Sequence, residues 1–276
     1  AVRRSLEQTQ WWTPEQLAQL QLQRLRALLQ GAAARVPYYQ QLFRQLDFDV
    51  NQIQSLADLQ RLPFLTKSLI RENFDALKAN GAQGLAPCST GGSSGEPLRF
   101  LIPLERVSHD VAAKWRATRW WNVDIGDREI VLWGSPIELG GQDRVKQIRD
   151  GLMRTKLLPA FAMSEAKLDE FVREIRTFRP KMLFGYPSAL AYVAEHAAKR
   201  GVRLDDLGIK VAFVTAEKLY DEQRLQIERQ FACKVANGYG GRDAGFIAHQ
   251  CPAGGAHITA EDIIVEIKSK SSIFII

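Results

Sequence analysis

The sequence predicts an α/β fold. Beyond residue 98, short apolar segments of strand character alternate with longer amphipathic ones. At 46% hydrophobic and 25% charged residues the composition is that of an ordinary globular chain, and no internal repeat or low-complexity linker interrupts it. A length of 276 residues admits one large domain or two small ones. Mixed sheets flanked by helices are expected over residues 81–276, with residues 1–80 forming a helical segment packed on that core.

The elements follow in order. Thr13, Pro14 and Glu15 spell a helix start, and Leu17, Leu20, Leu22, Leu25, Leu28 and Leu29 recur at near-helical spacing to about Ala34. Pro37 and Pro63 break the next stretch into short helices, including Ser55–Leu59 and Ser68–Ala76. Leu98–Pro103 is a strand, Arg106–Trp121 a helix and Glu129–Trp133 a strand. Ser164 caps a helix that runs to Phe178. Lys181–Phe184 is a strand, Pro187–Arg200 a helix closed by Gly201, and Ile209–Val214 a buried strand. Asp221–Phe231 is a helix, and Lys234–Ala236 a short strand. Ile263–Ile267 is a last strand, after which the chain ends in the apolar Ile273-Phe274-Ile275-Ile276. A domain stopping there would leave an apolar edge, which predicts a chain cut short or altered at that end.

This composition excludes disordered, collagen-like and disulfide-scaffold proteins. No apolar run approaches the ~18 residues of a membrane span, and the opening AVRRSLEQTQ lacks the apolar core of a signal peptide. A cytoplasmic location and no membrane partner are expected. Cys88, Cys233 and Cys251 are odd in number and widely separated, so they imply no disulfide framework. The net charge of +6 suits anionic partners. Its densest groups, Arg24/Arg26 and Arg144/Lys146/Arg149, are spaced like solvated helix faces, which argues against nucleic acid.

Two windows, Ser89–Gly95 and Gly238–Gly255, hold nine of the 20 glycines and are the leading site candidates, read as loops. The first, Ser89-Thr90-Gly91-Gly92-Ser93-Ser94-Gly95-Glu96-Pro97, has the backbone donors and hydroxyls of an anion nest. Glu96 after Gly95 excludes a Walker A loop, and the Gly-x-Gly-x-x-Gly fingerprint is missing. Gly91–Gly95 does fit the Gly-x-Ser-x-Gly of a hydrolase elbow with Ser93 as nucleophile. That elbow joins a strand to a helix, whereas here a Pro-Cys-Ser turn precedes and a strand follows. A plain surface turn is the other reading.

His249, Cys251 and His257 gather within nine residues, though at no standard zinc spacing. The alternative is a partly buried cysteine among ordinary loop histidines. Trp120, Trp121, Trp133, Phe184 and Tyr186 are candidates for an aromatic acyl pocket, with plain core packing the stronger expectation.

Gly92, Ser93, Ser94, Gly95 and Pro97 match in order the phosphate loop of the adenylate-forming superfamily of acyl-CoA synthetases. Further segments resemble its phenylacetate-CoA ligase-like branch, which includes capsular-polysaccharide-biosynthesis relatives. They are LFGYPSAL (183–190), VTAEKL (214–219), NGYGGRDAGFIAHQCP (237–252) and AHITAED (256–262). The N-terminal WWTPEQLAQLQLQRLRALL, RVPYY and LPFLTKSLIREN resemble it too, so that the likeness spans residues 11–267.

The resemblance implies the large N-terminal domain of an acid–thiol ligase, without the small C-terminal domain. Such an enzyme activates a small carboxylic acid, aromatic in some relatives, with ATP and Mg²⁺ and passes the acyl group to a thiol, usually coenzyme A. By the same resemblance Gly92, Ser93, Ser94 and Gly95 hold phosphates, and Tyr239 with Gly240, Ala216 and Glu217 line the adenine pocket. Asp243 stands where the family has its Mg²⁺-binding Glu, and a turn aspartate is its plain alternative. Downstream cysteines in relatives would complete a Zn²⁺ site with Cys251 and His257. A nucleotide-binding remnant without catalysis, or a serine hydrolase using Ser93, are the competing functions.

Overall fold

The computed structural model describes residues 2–90, 97–134, 149–161, 163–269 and 272–275. Its residues form two compact units. One comprises Ala1–Ala113, Arg242–Gly245 and Thr259–Ile276, the other Lys114–Gly241 and Phe246–Ile258. Residue 80, where the sequence suggests a boundary, lies inside the first unit. Helices α1 (Val2–Thr9) and α2 (Pro14–Arg35) are instead tied to residues far along the chain. The Thr9 hydroxyl bonds the buried Glu261 carboxylate, Arg24 donates to the Glu261 carbonyl at 2.8 Å, and Gln21 donates to Ile263 O at 2.9 Å.

In that first unit α2 starts as expected. Thr13 accepts from Gln16 N at 3.3 Å while the Gln16 amide reaches back to Thr13 N at 2.9 Å. Leu25 and Leu29 bury their face against Phe43 of α3 (Pro37–Gln45), Phe48, Ile53 and Leu59. The expected helix at 68–76 is shorter, α4 (Lys67–Glu72), and 55–59 is a 3₁₀ turn over Leu56–Arg61. Strands β1 (Leu85–Ser89) and β2 (Arg99–Pro103) pair antiparallel. The Pro-Cys-Ser segment read as a turn is therefore strand, and Pro87 is tolerated because this two-stranded sheet has only edges. Helix α5 (Leu104–Arg119) follows.

The second unit is built on seven strands. They are β3 (Glu129–Trp133), β4 (Thr155–Pro159), β5 (Met182–Gly185), β6 (Val211–Val214), β7 (Lys234–Gly241), β8 (Gly245–Gln250) and β9 (Ala256–Ile258), in the order β4-β3-β5-β6-β7-β8-β9. From β4 to β7 every pairing is parallel. Successive strand residues point to opposite faces, and both faces are covered. Ile130, Leu132, Leu183, Ala212, Val214 and Val235 face α6 (Glu165–Phe178), α7 (Pro187–Lys199) and α8 (Asp221–Phe231). Val131, Trp133, Met182, Phe184, Val211, Phe213 and Ala236 face the other way, onto Ala117, Trp120, Trp121 and Val123. Four of the five aromatics weighed for an acyl pocket thus belong to this second cluster. Burying a side chain of this size contributes roughly 2 kcal/mol, so this sheet is the main store of stability.

The glycine-rich window 238–255 is mostly strand rather than loop, since β7 runs on to Gly241 and β8 and β9 follow. Strands β4 (TKLLP), β8 (GFIAHQ) and β9 (AHI) escape sequence reading because each is short and shows no sustained alternation of apolar and polar residues. A hairpin of β10 (Val265–Ser269) and β11 (Ser272–Ile275) ends the described chain.

Gly185 pairs with Leu132, and a Cβ on it would lie 2.2 Å from the Leu132 carbonyl oxygen. Gly185→Ala is expected to destabilise the protein by about 3 kcal/mol in urea unfolding. Gly151→Ala, where a Cβ meets nothing within 4 Å, serves as the neutral comparison.

Candidate functional site

The parallel strands all present their C-terminal ends along one edge, and the order of connection reverses at β3, which leads outward to β4 while β5 returns on its other side. Open α/β sheets bind ligands at such an edge. Trp133 and Gly134 end β3, Gly185 and Tyr186 end β5, and Thr215, Ala216 and Glu217 follow β6.

Gly185 is required there by the Leu132 carbonyl, and Pro187 then opens α7 at its first position. Tyr186, between them, stacks on Trp133 with ring centroids 4.4 Å apart and planes 18° off parallel. Burial raises the Tyr186 hydroxyl above its ordinary pKa against a hydrogen bond from the Gly134 backbone, and the Glu217 carboxylate adds to the rise. Glu217 Oε2 accepts from Ser188 N at 3.4 Å, in the first turn of α7, where a negative charge is favoured. Ala216 has φ 70°, a left-handed conformation costly for a residue with a Cβ and concentrated at functional sites. Tyr239, on β7, is 53% exposed and offers a ring face. Ala216, Glu217, Tyr239 and Gly240 thus all lie at this edge or on the strand bordering it.

Asp243 lies in the turn that follows β7, within the first unit. Arg242 Nη1 donates to Ser89 O at 3.2 Å, and Arg106 Nη2 donates to Arg242 O at 3.3 Å. Gly245 closes the turn at φ 76°, with Asp110 Oδ1 2.1 Å from where a Cβ would stand. The turn is therefore fastened to the end of β1, from which the chain enters the glycine-rich segment. Asp243 is exposed, and its Oδ1 accepts from Ala244 N at 3.1 Å. One exposed carboxylate fits Mg²⁺, which commonly takes one or two protein carboxylates and fills its shell with water and phosphate oxygens. Sequence reasoning missed Arg242 as the anchor, because its partner Ser89 is 153 residues away.

Gly92, Ser93, Ser94 and Gly95 lie outside the described residues. At the neck of their segment Thr90 N donates to Leu98 O at 3.0 Å and Leu98 N to the Thr90 hydroxyl at 2.9 Å. The flanking elements are two antiparallel strands, not the strand and helix of a hydrolase elbow.

The expected histidine and cysteine cluster is spread over β8, β9 and the turn between them. Among the described residues no three His, Cys, Asp or Glu side chains are placed to hold a metal ion. His249 is fully buried between Phe213 and Phe246 with no hydrogen bond to either ring nitrogen. His257 lies edge-on to Trp120 at 5.3 Å. Its Nε2 and Cys251 Sγ both lie within 4.0 Å of the point a Cβ on Gly255 would occupy. Two donors fall short of the four a structural zinc needs.

Compared with curated proteins, the chain is 24% identical over 224 residues to Protein CapK of Staphylococcus aureus, covering 81% of this chain and 49% of that one. It is 25% identical over 226 residues to the phenylacetate-coenzyme A ligase of Pseudomonas putida, covering 81% and 50%, and 27% identical over 234 residues to that of Thermus thermophilus, covering 82% and 50%. Over this span the chain is similar to phenylacetate-CoA ligases and to CapK. It spans about half the length of these relatives. No family model matches it. Crystal structures of 2-hydroxyisobutyryl-CoA ligase in complex with 2-HIB-AMP and CoA share its fold. The open conformation gives a TM-score of 0.71 at 20% identity, covering 90% of this chain and 60% of that one. The thioesterification state gives 0.74 at 19%, covering 92% and 56%. This is the N-terminal domain fold of adenylate-forming ligases. Among the described residues, no helix is long and apolar enough to cross a membrane.

Burial, reinforced by Arg116, lowers the His249 pKa from 6.5 to about 3. The unfolded chain then binds a proton between these values that the folded one does not, so stability rises with pH up to about 6.5 and falls in acid. Between pH 7 and pH 5 the protein is expected to lose about 2 kcal/mol that a His249→Phe variant retains, as read by denaturant unfolding at each pH.

Proposed function

We propose that the chain is the acid- and nucleotide-binding part of an adenylate-forming ligase that activates a small carboxylic acid with ATP and transfers the acyl group to coenzyme A. The substrate carboxylate oxygen attacks the α-phosphorus, the bond to the β-phosphate breaks, and pyrophosphate leaves. A thiolate then attacks the acyl carbonyl and AMP departs. Two anions must meet in the first step, so the barrier is mainly electrostatic.

This reading rests on Tyr186, Ala216 and Glu217 standing at the C-terminal edge where sheets of this kind bind ligands, in segments that resemble the same family. Under it, Ser93 and Ser94 with the amides of Gly92 and Gly95 hold the phosphates, and Tyr239 lies along the adenine beside Gly240. The acid occupies the Trp133 side of the crevice. Asp243 holds Mg²⁺, which when bound offsets triphosphate charge. Asp is one methylene shorter than Glu, so contact through water is the expected mode. A cytoplasmic enzyme follows from the same reading, as for other ligases drawing on ATP and coenzyme A.

The test is ATP–pyrophosphate exchange with phenylacetate and 2-hydroxyisobutyrate as probe acids. Acid-dependent exchange is expected, falling about a hundredfold in Asp243→Ala and largely kept in Asp243→Glu. ATP binding without exchange on any acid would favour a nucleotide-binding remnant. Fluorophosphonate labelling lost in Ser93→Ala would overturn the ligase in favour of a hydrolase.

A further inference from the structure

Tyr186 stands where three strand ends meet. Its ring stacks on Trp133, at the end of β3, and its hydroxyl meets the backbone of Gly134, one residue on. The same hydroxyl feels the carboxylate of Glu217, from the loop after β6. Its own peptide leads into α7, where Ser188 N donates to that carboxylate at 3.4 Å. Behind it Thr215 N donates to Gly185 O at 3.1 Å, tying the loop after β6 to the residue before Tyr186. Three strand ends are thus cross-connected through the Tyr186 ring and the backbone of Gly185 and Ser188 on either side of it. Gly185 cannot give way, because the Leu132 carbonyl fills the space beside it.

We propose that Tyr186 is a positioning residue that couples the two sides of the crevice: it fixes the Ala216–Glu217 loop relative to the Trp133 end of β3, so that an acid bound on one side strengthens nucleotide binding on the other. This rests on the function proposed above, which assigns nucleotide to the loop and acid to Trp133. Tyr186 takes no part in bond making. Glu217 is the second member of the coupling, since its carboxylate accepts from Ser188 N at the start of α7, two residues after Tyr186. Coupling between two ligands is reciprocal, so nucleotide must tighten acid binding by the same factor.

The experiment is calorimetric titration of the full chain with α,β-methylene-ATP, which cannot release pyrophosphate, with and without saturating phenylacetate or 2-hydroxyisobutyrate. In the wild type the better of the two acids should tighten binding of the analogue about tenfold. Tyr186→Phe, which keeps the stacked ring and loses the hydroxyl, should reduce that ratio to about threefold, and Glu217→Gln should do the same. Tyr186→Leu should bring it to about one while each ligand alone still binds. A merely structural role would lower the melting temperature and leave the ratio intact. The proposal is overturned if Tyr186→Phe and Glu217→Gln both keep the wild-type ratio, a result that stands even where Tyr186→Leu does not fold. It is also overturned if analogue and acid both bind the wild type without influencing each other. Failure of the wild type to bind the analogue at all sinks the nucleotide reading itself, and this inference with it.

Discussion

A single carbonyl oxygen decides what can stand at the end of β5. Leu132 O occupies the place of a side chain on Gly185, so the backbones of β3 and β5 stay paired up to the residue at which the chain turns into α7. Tyr186 is held at the C-terminal edge of the sheet by that constraint, as Pro187 fixes the entry into the helix. On β7, Gly238 plays a related part, because a Cβ there would lie 2.9 Å from the Phe213 ring. Both glycines are removals of bulk that let the framework close, and the functional side chains stand beside them.

Strand β3 is held at both ends by different physics. At its first residue the buried Glu129 carboxylate meets Lys114 Nζ at 2.6 Å and the Thr155 hydroxyl at 3.3 Å, and Lys114 also lies 4.3 Å over the Phe184 ring. Such a pair is worth little against an apolar replacement, but removing one partner strands a buried charge. At its last residue the hold is the ring of Tyr186. The charged end is thereby opposite the ligand edge, which is left to aromatic faces, backbone amides and the carboxylate of Glu217.

Long periodic segments were legible in the sequence: α2 with its Thr13 start, α8 from Asp221 to Phe231, and β3 to the residue. Strand β1 was not, because Pro87 reads as a turn and only pairing with β2 makes the segment extended. The glycines of 238–255 look like loop in any local reading, and it is packing on Phe213 and Asp110 that explains Gly238 and Gly245. For the site, Ala216, Glu217 and Tyr239 were picked out through motif resemblance. The hydrogen bond from Ser188 N to Glu217 joins segments 29 residues apart and leaves no periodic trace. His249 was grouped with Cys251 by proximity in the chain, although strand alternation sends it into an aromatic core.

The parallel sheet also sets an order in time. No two of its strands from β3 to β7 can be joined by a tight turn. Glu129 pairs with Thr155, Met182 with Val211, and Val211 with Lys234, while Glu129 must also find Met182, 53 residues ahead. A chain emerging from the ribosome can pair β3 with β4 early, but the central register waits until β5 has been made, and loop-closure entropy is paid before contacts reward it. Folding on the order of milliseconds to seconds is the regime of such topologies. Until β5 arrives, the apolar faces of β3 stand open, which makes the interval between residues 133 and 182 the one in which this chain most needs protection from association.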